Sequence, residues 1–238
     1  MDRDEVLSWL EKKGTRATVE GMDRYGIVAE HAFGVTMATL LTLAGELGKD
    51  QDLSLALWKS GWYEARLLAA LVGDPQRVTR RQMNEWAAGF ENWADCDTAC
   101  FKLFDRTPFA WEKVHQWAGS PREFVKRGAF ALMACLALHD KAASDEQFLA
   151  LLPLIEKGAR DERNFVKKGV NWALRSIGRR DAALNAAAVA VAKRLALSEE
   201  AAPRWVGKDA LRELASPKVR AKLIRPNAAA KKHRPTKA

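Results

Sequence analysis

Phe165-Val166-Lys167-Lys168-Gly169-Val170 echoes Phe124-Val125-Lys126-Arg127-Gly128-Ala129, 41 residues upstream. A third stretch, Tyr63-Glu64-Ala65-Arg66-Leu67-Leu68, resembles both and stands 61 residues before the Phe124 stretch. Around the first of these, Asn164 to Arg180 reads as one helix: Val166, Val170, Ala173, Leu174 and Ile177 share one face at the 3.6-residue period. Almost every other segment has the same period, and no convincing apolar–polar alternation marks a strand. A repeat near 41 residues built of helix pairs falls in the range of about 40–47 residues for HEAT and armadillo units. The sequence therefore predicts an all-α fold: a HEAT-like α-α superhelix, a curved solenoid of antiparallel helix pairs, as one domain over residues 1–225. The longer 61-residue step leaves room for an extra helical element that includes Trp86 to Phe104.

Breakers divide the helices. Gly14, Gly48, the Gly73-Asp74-Pro75 turn, Gly119 with Pro121, and Ser216-Pro217 mark stops and starts. Ser120-Pro121 has the form of an N-cap followed by Pro at the first helical position, opening a helix from about Phe124 to Leu138. Asp50 or Asp52 is placed to cap the helix that carries Leu55, Leu57 and Trp58.

The chain has 238 residues, 48% hydrophobic and 29% charged, with 39 Lys and Arg against 30 Asp and Glu. That is a globular composition with a net charge of +9, which favours an anionic partner. No apolar run approaches the ~18 residues of a membrane span, and Met1-Asp2-Arg3-Asp4-Glu5 has no secretory character. Cys96, Cys100 and Cys135 fit free thiols of a reducing compartment, so a cytoplasmic location is expected. Cys96 and Cys100 have no CxxC or HxxxH companion, and the reading is of small buried side chains, with no metal and no cofactor. Residues 226–238 carry Lys231, Lys232, Arg234 and Lys237 without an acid. They are expected to form a disordered basic arm, serving either non-specific DNA affinity or solubility.

Three positions stand out from the helical pattern. Lys168, Trp172, Arg175 and Arg179 fall at i, i+4, i+7 and i+11, roughly opposite the apolar stripe of their helix. An indole among cations suits a polyanion with flat apolar parts, which describes nucleic acid; packing against a neighbouring helix with solvated cations is the other reading. Asp97 lies on the apolar stripe of a helix begun near Asn92, one turn after Trp93 and in line with Cys100 and Phe104. A carboxylate there costs free energy unless it is paired, hydrogen-bonded or needed, so it is either a salt-bridge partner or a site carboxylate beside an indole. Asp95 points elsewhere and can be an ordinary first-turn acid. Arg127 borders the stripe of Phe124, Gly128, Ala131, Cys135 and Leu138, and can pair with Asp97 or grip a phosphate bidentately. The repeat makes Arg66, Arg127 and Lys168 equivalent, which predicts a track of cations along one face.

Trp93-Ala94-Asp95-Cys96-Asp97, the Phe124-Val125-Lys126-Arg127 helix, and Asp161-Glu162-Arg163-Asn164-Phe165-Val166-Lys167-Lys168 running into Asn171-Trp172-Ala173-Leu174-Arg175 resemble the AlkD-like DNA alkylation repair family. The resemblance extends from about Tyr25 to the last repeat, and Asp161 to Arg180 is its most specific part. It implies HEAT-like repeats and a DNA glycosylase for N3- and N7-alkylated purines in duplex DNA, with the damaged base left stacked. It also implies that Trp93 and Trp172 are active-site indoles, that Asp97 is the catalytic carboxylate and that Arg127 contacts phosphate. Asn92 stands where many members have a second Trp, while the Trp-to-Asp spacing of four is kept. The expected assembly is a cytoplasmic, bacterial-type monomer, associated with the nucleoid when bound to DNA. Its catalytic group would be Asp97, Trp93 and Trp172, and its DNA contacts Arg127, Lys168, Arg175, Arg179 and Arg66. A non-catalytic HEAT-like binder of DNA or DNA structure would keep the cations and Trp172 without needing Asp97. A protein-binding scaffold would explain the repeat but not the cationic face.

Overall fold

The computed structural model describes residues 1–224, so the basic segment 226–238 lies outside the described residues. The chain runs through α1 (Arg3–Lys13), α2 (Arg16–Met22), α3 (Met37–Leu47), α4 (Gln51–Lys59), α5 (Tyr63–Val72), α6 (Arg80–Ala88), α7 (Trp93–Lys102), α8 (Ala110–Trp117), α9 (Glu123–His139), α10 (Asp145–Leu149), α11 (Leu152–Gly158), α12 (Asn164–Ile177), α13 (Ala182–Ala196), α14 (Ala201–Leu214) and α15 (Pro217–Ile224). Two 3-10 turns, Asp23–Tyr25 and Phe104–Arg106, complete the regular structure, and no strand occurs among the described residues.

The helices form two layers. In one, α3, α5, α7, α9, α12 and α14 pack neighbour against neighbour in that order. In the other, α4 backs α5, α8 backs α9, α11 and α13 back α12, and α13 also backs α14. This stack of helix pairs is the HEAT-like architecture the repeat predicts. The two repeated motifs lie on α9 and α12, which meet directly. Phe124 and Phe165 pack with ring centroids 5.5 Å apart. A Cβ on Gly169 would stand 3.4 Å from Arg127 Cγ, an ordinary contact distance, so this face of α12 lies directly against Arg127 of α9. The long step upstream is filled by α6 and α7.

Caps set the helix starts. Asp2 and Glu5 form a capping box at α1, and Asp50, rather than Asp52, caps α4 by accepting from the N–H groups of Asp52 and Leu53. Ser120-Pro121 does not open α9. The Ser120 hydroxyl takes the Arg122 N–H two residues on, the cap position falls on Arg122, and the helix begins at Glu123. Phe104 lies beyond the end of α7, in the 3-10 turn, although it is fully buried as expected. Val166, Val170, Ala173, Leu174 and Ile177 of α12 are all fully buried. The three cysteines are buried free thiols.

The N-terminal segment is tied to the stack by a buried carboxylate. Glu64 of α5 accepts from the backbone N–H groups of Phe33, Gly34 and Val35, at 2.9, 2.6 and 3.1 Å. Gly34 has φ +83°, and a Cβ there would lie 2.1 Å from the Thr15 carbonyl oxygen, so only glycine allows this crossing. No helix among the described residues is long and apolar enough to cross a membrane.

Candidate functional site

Four successive helices of one layer, α7, α9, α12 and α14, contribute to a cleft of 320 Å³ lined by Trp93, Asp97, Arg127, Lys168, Asn171, Trp172, Arg175, Trp205 and Asp209. It brings together six of the eight side chains singled out from the sequence: Trp93, Asp97, Arg127, Lys168, Trp172 and Arg175.

Asp97 and Arg127 form its floor. Arg127 Nε donates to Asp97 Oδ1 at 2.8 Å and Nη2 donates to Oδ2 at 2.6 Å, a bidentate pair. Nη1 donates to the Phe165 carbonyl at 2.6 Å, which fixes the guanidinium between α7 and α12. The Arg127 side chain is 8% exposed and that of Asp97 18%. Burial pushes the Asp97 carboxyl above its ordinary value, and the Arg127 charge and hydrogen bonds oppose that rise. Burial also works to lower the guanidinium, but Asp97 outweighs it and holds Arg127 above its usual range.

Asn92 caps α7, accepting from the N–H groups of Ala94 and Asp95, and the Asp95 carboxylate returns the bond to the Asn92 N–H. Asp95 is therefore more than an exposed first-turn acid. It is buried, also accepts from Glu91 and Cys96 N–H, and burial pushes its carboxyl up to about 6. This cap orients the first turn of α7, where Trp93 is half-buried and its indole N–H donates to the Tyr25 carbonyl at 2.8 Å. Trp93 and Asp97 also line a second, mostly apolar recess of 550 Å³ with Met22, Tyr25, Ile27, Val35 and Tyr63 among its walls.

On α12, Trp172 is half-buried and Lys168 exposed, one turn apart, with no ion pair to Lys168 among the described residues. Arg175 and Arg179 both engage Glu213 of α14, Arg175 Nη1 at 2.7 Å, so one acid offsets part of their charge. Arg179 is exposed but does not line the cleft. Arg66 departs from the expected track. It is 15% exposed, pairs with Glu91 at 2.6 Å, donates to the Gly89 carbonyl at 3.2 Å and stands 5.3 Å from the Trp58 ring. Because α7 comes between α5 and α9, the position equivalent to Arg127 on α5 faces the α6–α7 connection instead of the cleft.

Trp205, Asp209 and Asn171 are cleft residues the sequence reading passed over. Trp205 carried a usable signal. It lies off the stripe of Ala202, Val206, Ala210 and Leu214, as Trp172 lies off the stripe of its own helix. Of the nine tryptophans, only Trp93, Trp172 and Trp205 line the cleft. Others serve packing, such as the Trp58–Trp86 stack at 4.1 Å. Among the described residues no group of three or more His, Cys, Asp or Glu is gathered to hold a metal ion.

A family model described as "DNA alkylation repair enzyme" matches residues 6–214. A solved structure, described as "A new family of proteins related to the HEAT-like repeat DNA glycosylases with affinity for branched DNA structures", superposes with a TM-score of 0.78. The match covers 94% of this chain and 96% of that one at 20% identity, a likeness of fold. No curated protein matches the chain.

Proposed function

This chain belongs to the DNA alkylation repair enzyme family, and from that premise we propose that it hydrolyses the N-glycosidic bond of cationic N3- and N7-alkylated purines in duplex DNA. The observation that carries the reading is a carboxylate held rigidly on the floor of a cationic cleft, with the indoles of Trp93 and Trp172 among its walls. A purine alkylated at N3 or N7 already bears positive charge, so its departure needs no protonation. What the reaction needs is stabilisation of a sugar with oxocarbenium character and a positioned water. A single carboxylate can do both, whereas neutral glycosides use two.

Each residue then has a task. Arg127 holds both Asp97 oxygens in one orientation, leaving their remaining lone pairs for water and for the developing cation. This makes Arg127 first a positioning residue for Asp97, with its remaining N–H groups available to a phosphate. Trp93 and Trp172 turn π faces toward positive charge and keep water off the sugar. Lys168 and Arg175 hold phosphates of the backbone, Arg175 by sharing itself with Glu213. Water held by Asp97 attacks C1′ of the sugar and the neutral alkylpurine leaves. That the base departs from within the stack is what the family resemblance implies, and cations and indoles directed at sugar and phosphate suit it. Incubation with DNA carrying N7-methylguanine tests the proposal: the protein releases free base, and Asp97→Asn does not.

A second reading is favoured by the same ion pair. Because both Asp97 oxygens accept from Arg127, the carboxylate has a structural reason to be there, and the cleft would serve binding alone. The affinity for branched DNA named for the similar structure belongs with this reading. Salt-dependent DNA binding without release of N3- or N7-methylpurine would establish it over the first.

A further inference from the structure

Trp205 is 39% exposed in the cleft, and its orientation is fixed by the packing of α14. Asn171 Nδ2 of α12 donates to the Val206 carbonyl at 3.2 Å, which locks α14 against the neighbouring layer helix. On its other side, a Cβ at Gly207 would stand 2.2 Å from the Ala196 backbone nitrogen, so α14 is pressed on α13 as closely as a glycine allows. Between these two contacts the helix cannot rotate to bury the indole. Lys167 of α12 places its ammonium 5.1 Å from the Trp205 ring centroid. Asp209, one turn further along α14, lines the same end of the cleft and is paired with Arg212.

A bare cationic surface is enough for phosphates, and a carboxylate at Asp209 works against placing a phosphate there. A flat apolar group with a delocalised face suits the indole, and nucleic acid supplies one in its bases. In a paired duplex each base face is covered by its neighbours in the stack. An indole can meet a base face only where the stack is interrupted. We propose that Trp205, with Lys167, is a stacking platform for an unpaired nucleobase, giving the cleft a preference for DNA whose stack is interrupted by a bulged or gapped position. The inference rests on the reading that the cleft binds DNA, and is independent of whether Asp97 is catalytic.

The test uses undamaged DNA and the full chain. Two duplexes of the same sequence are compared, one fully paired and one with a single unpaired 2-aminopurine, for the wild type, Trp205→Ala and Trp205→Phe. Thermal melts confirm that each variant is folded. The wild type is expected to bind the bulged duplex at least about 5-fold more tightly and to quench the 2-aminopurine. Trp205→Ala should bring that ratio close to one and abolish the quenching, while Trp205→Phe keeps a preference. Equal wild-type affinity for the two duplexes overturns the proposal while leaving the DNA reading intact. So does an equal loss on both duplexes in Trp205→Ala, which would mean a sugar or phosphate contact. Absence of binding to either duplex overturns both.

Discussion

Asp97→Asn tests the candidate site, and its consequences can be worked from the pair it disrupts. The substitution keeps the shape of the side chain and one carbonyl acceptor, but turns an amide donor toward an Arg127 N–H, which then has no acceptor to donate to. Arg127 stays charged at 8% exposure, with the Phe165 carbonyl as its remaining strong acceptor. Removing one member of a buried pair costs about 3–5 kcal/mol. The retained carbonyl and the 18% exposure of Asp97 to the cleft put this case at the lower end, about 3 kcal/mol. In a domain of this size that lowers Tm by about 6–12 °C. On catalysis, loss of a charge aimed at a developing cation should reduce base release by about 10²–10³-fold. Single-turnover release of N7-methylguanine is therefore measured well below the lowered Tm, with DNA binding measured in parallel. Pairing it with Asp97→Leu/Arg127→Met separates the two effects, because an apolar replacement of both partners should recover much of the stability without recovering release. A folded Asp97→Asn protein that excises at the wild-type rate would refute the catalytic assignment.

Arg127→Ala should cost about 3–5 kcal/mol in stability and depress base release with Asp97→Asn, since it strands the carboxylate; a variant that melts like the wild type would contradict the buried pair. Lys168→Ala should weaken DNA binding alike for all sequences and reduce the salt slope of log K by about 0.9, and an unchanged slope removes Lys168 from the phosphate contacts. Asp95 gives a pH signature: its folded carboxyl lies at about 6 against an ordinary value of about 4, so the folded state holds the extra proton between them. Relative to Asp95→Asn, wild-type Tm should therefore rise as pH falls from 6 toward 4 and be flat above 6; a fall over that window would show that the capping bonds outweigh burial. Gly207→Ala should destabilise by about 1–3 kcal/mol through collision with the α13 backbone, whereas Gly21→Ala, whose Cβ meets nothing within 4 Å inside α2, should stabilise by about 0.5–1 kcal/mol.

The fold was legible because its repeat is a contact. The Phe of the two motifs recurs at 41 residues because α9 and α12 use it on each other, ring against ring at Phe124 and Phe165. The glycines do not share that role, since Gly169 faces Arg127 of α9 whereas Gly128 faces Phe90, Trp117 and Cys96. The third copy, at Tyr63, keeps the helix but not the neighbour. With α7 inserted, α5 packs on a helix of different sequence, and Arg66 meets Glu91 and the Gly89 carbonyl. Equivalence in a repeat predicts a shared direction only where the neighbours repeat as well. Glu213 marks a second limit. It stands 38 residues after Arg175, and no helical spacing within α12 could reveal that the two outward arginines share an acid on α14.

At the carboxylate the sequence left two readings open, and the geometry explains why they are hard to separate. A carboxylate on an apolar stripe must have a partner to be tolerated, so the salt bridge to Arg127 would be present whether or not Asp97 acts on a substrate. The pair by itself thus decides neither reading. A bidentate guanidinium occupies one lone-pair direction on each oxygen and holds the carboxylate still, while the cleft remains open to it between indoles. What distinguishes the readings is where the rest of the cleft spends its side chains. A purely structural ion pair needs no aromatic walls around its solvent side, yet Trp93 is held there by a bond to the Tyr25 carbonyl, and Trp172 and Trp205 reach the same cleft from two further helices. Three indoles from three helices, lining one cleft with Asp97, Asp209 and the exposed Lys168, form a surface suited to a ligand with both negative charge and flat apolar faces. The proposal that the cleft binds DNA rests on that convergence. The hydrolysis proposal adds that the Asp97 charge, and not merely its shape, be indispensable, which is what Asp97→Asn tests.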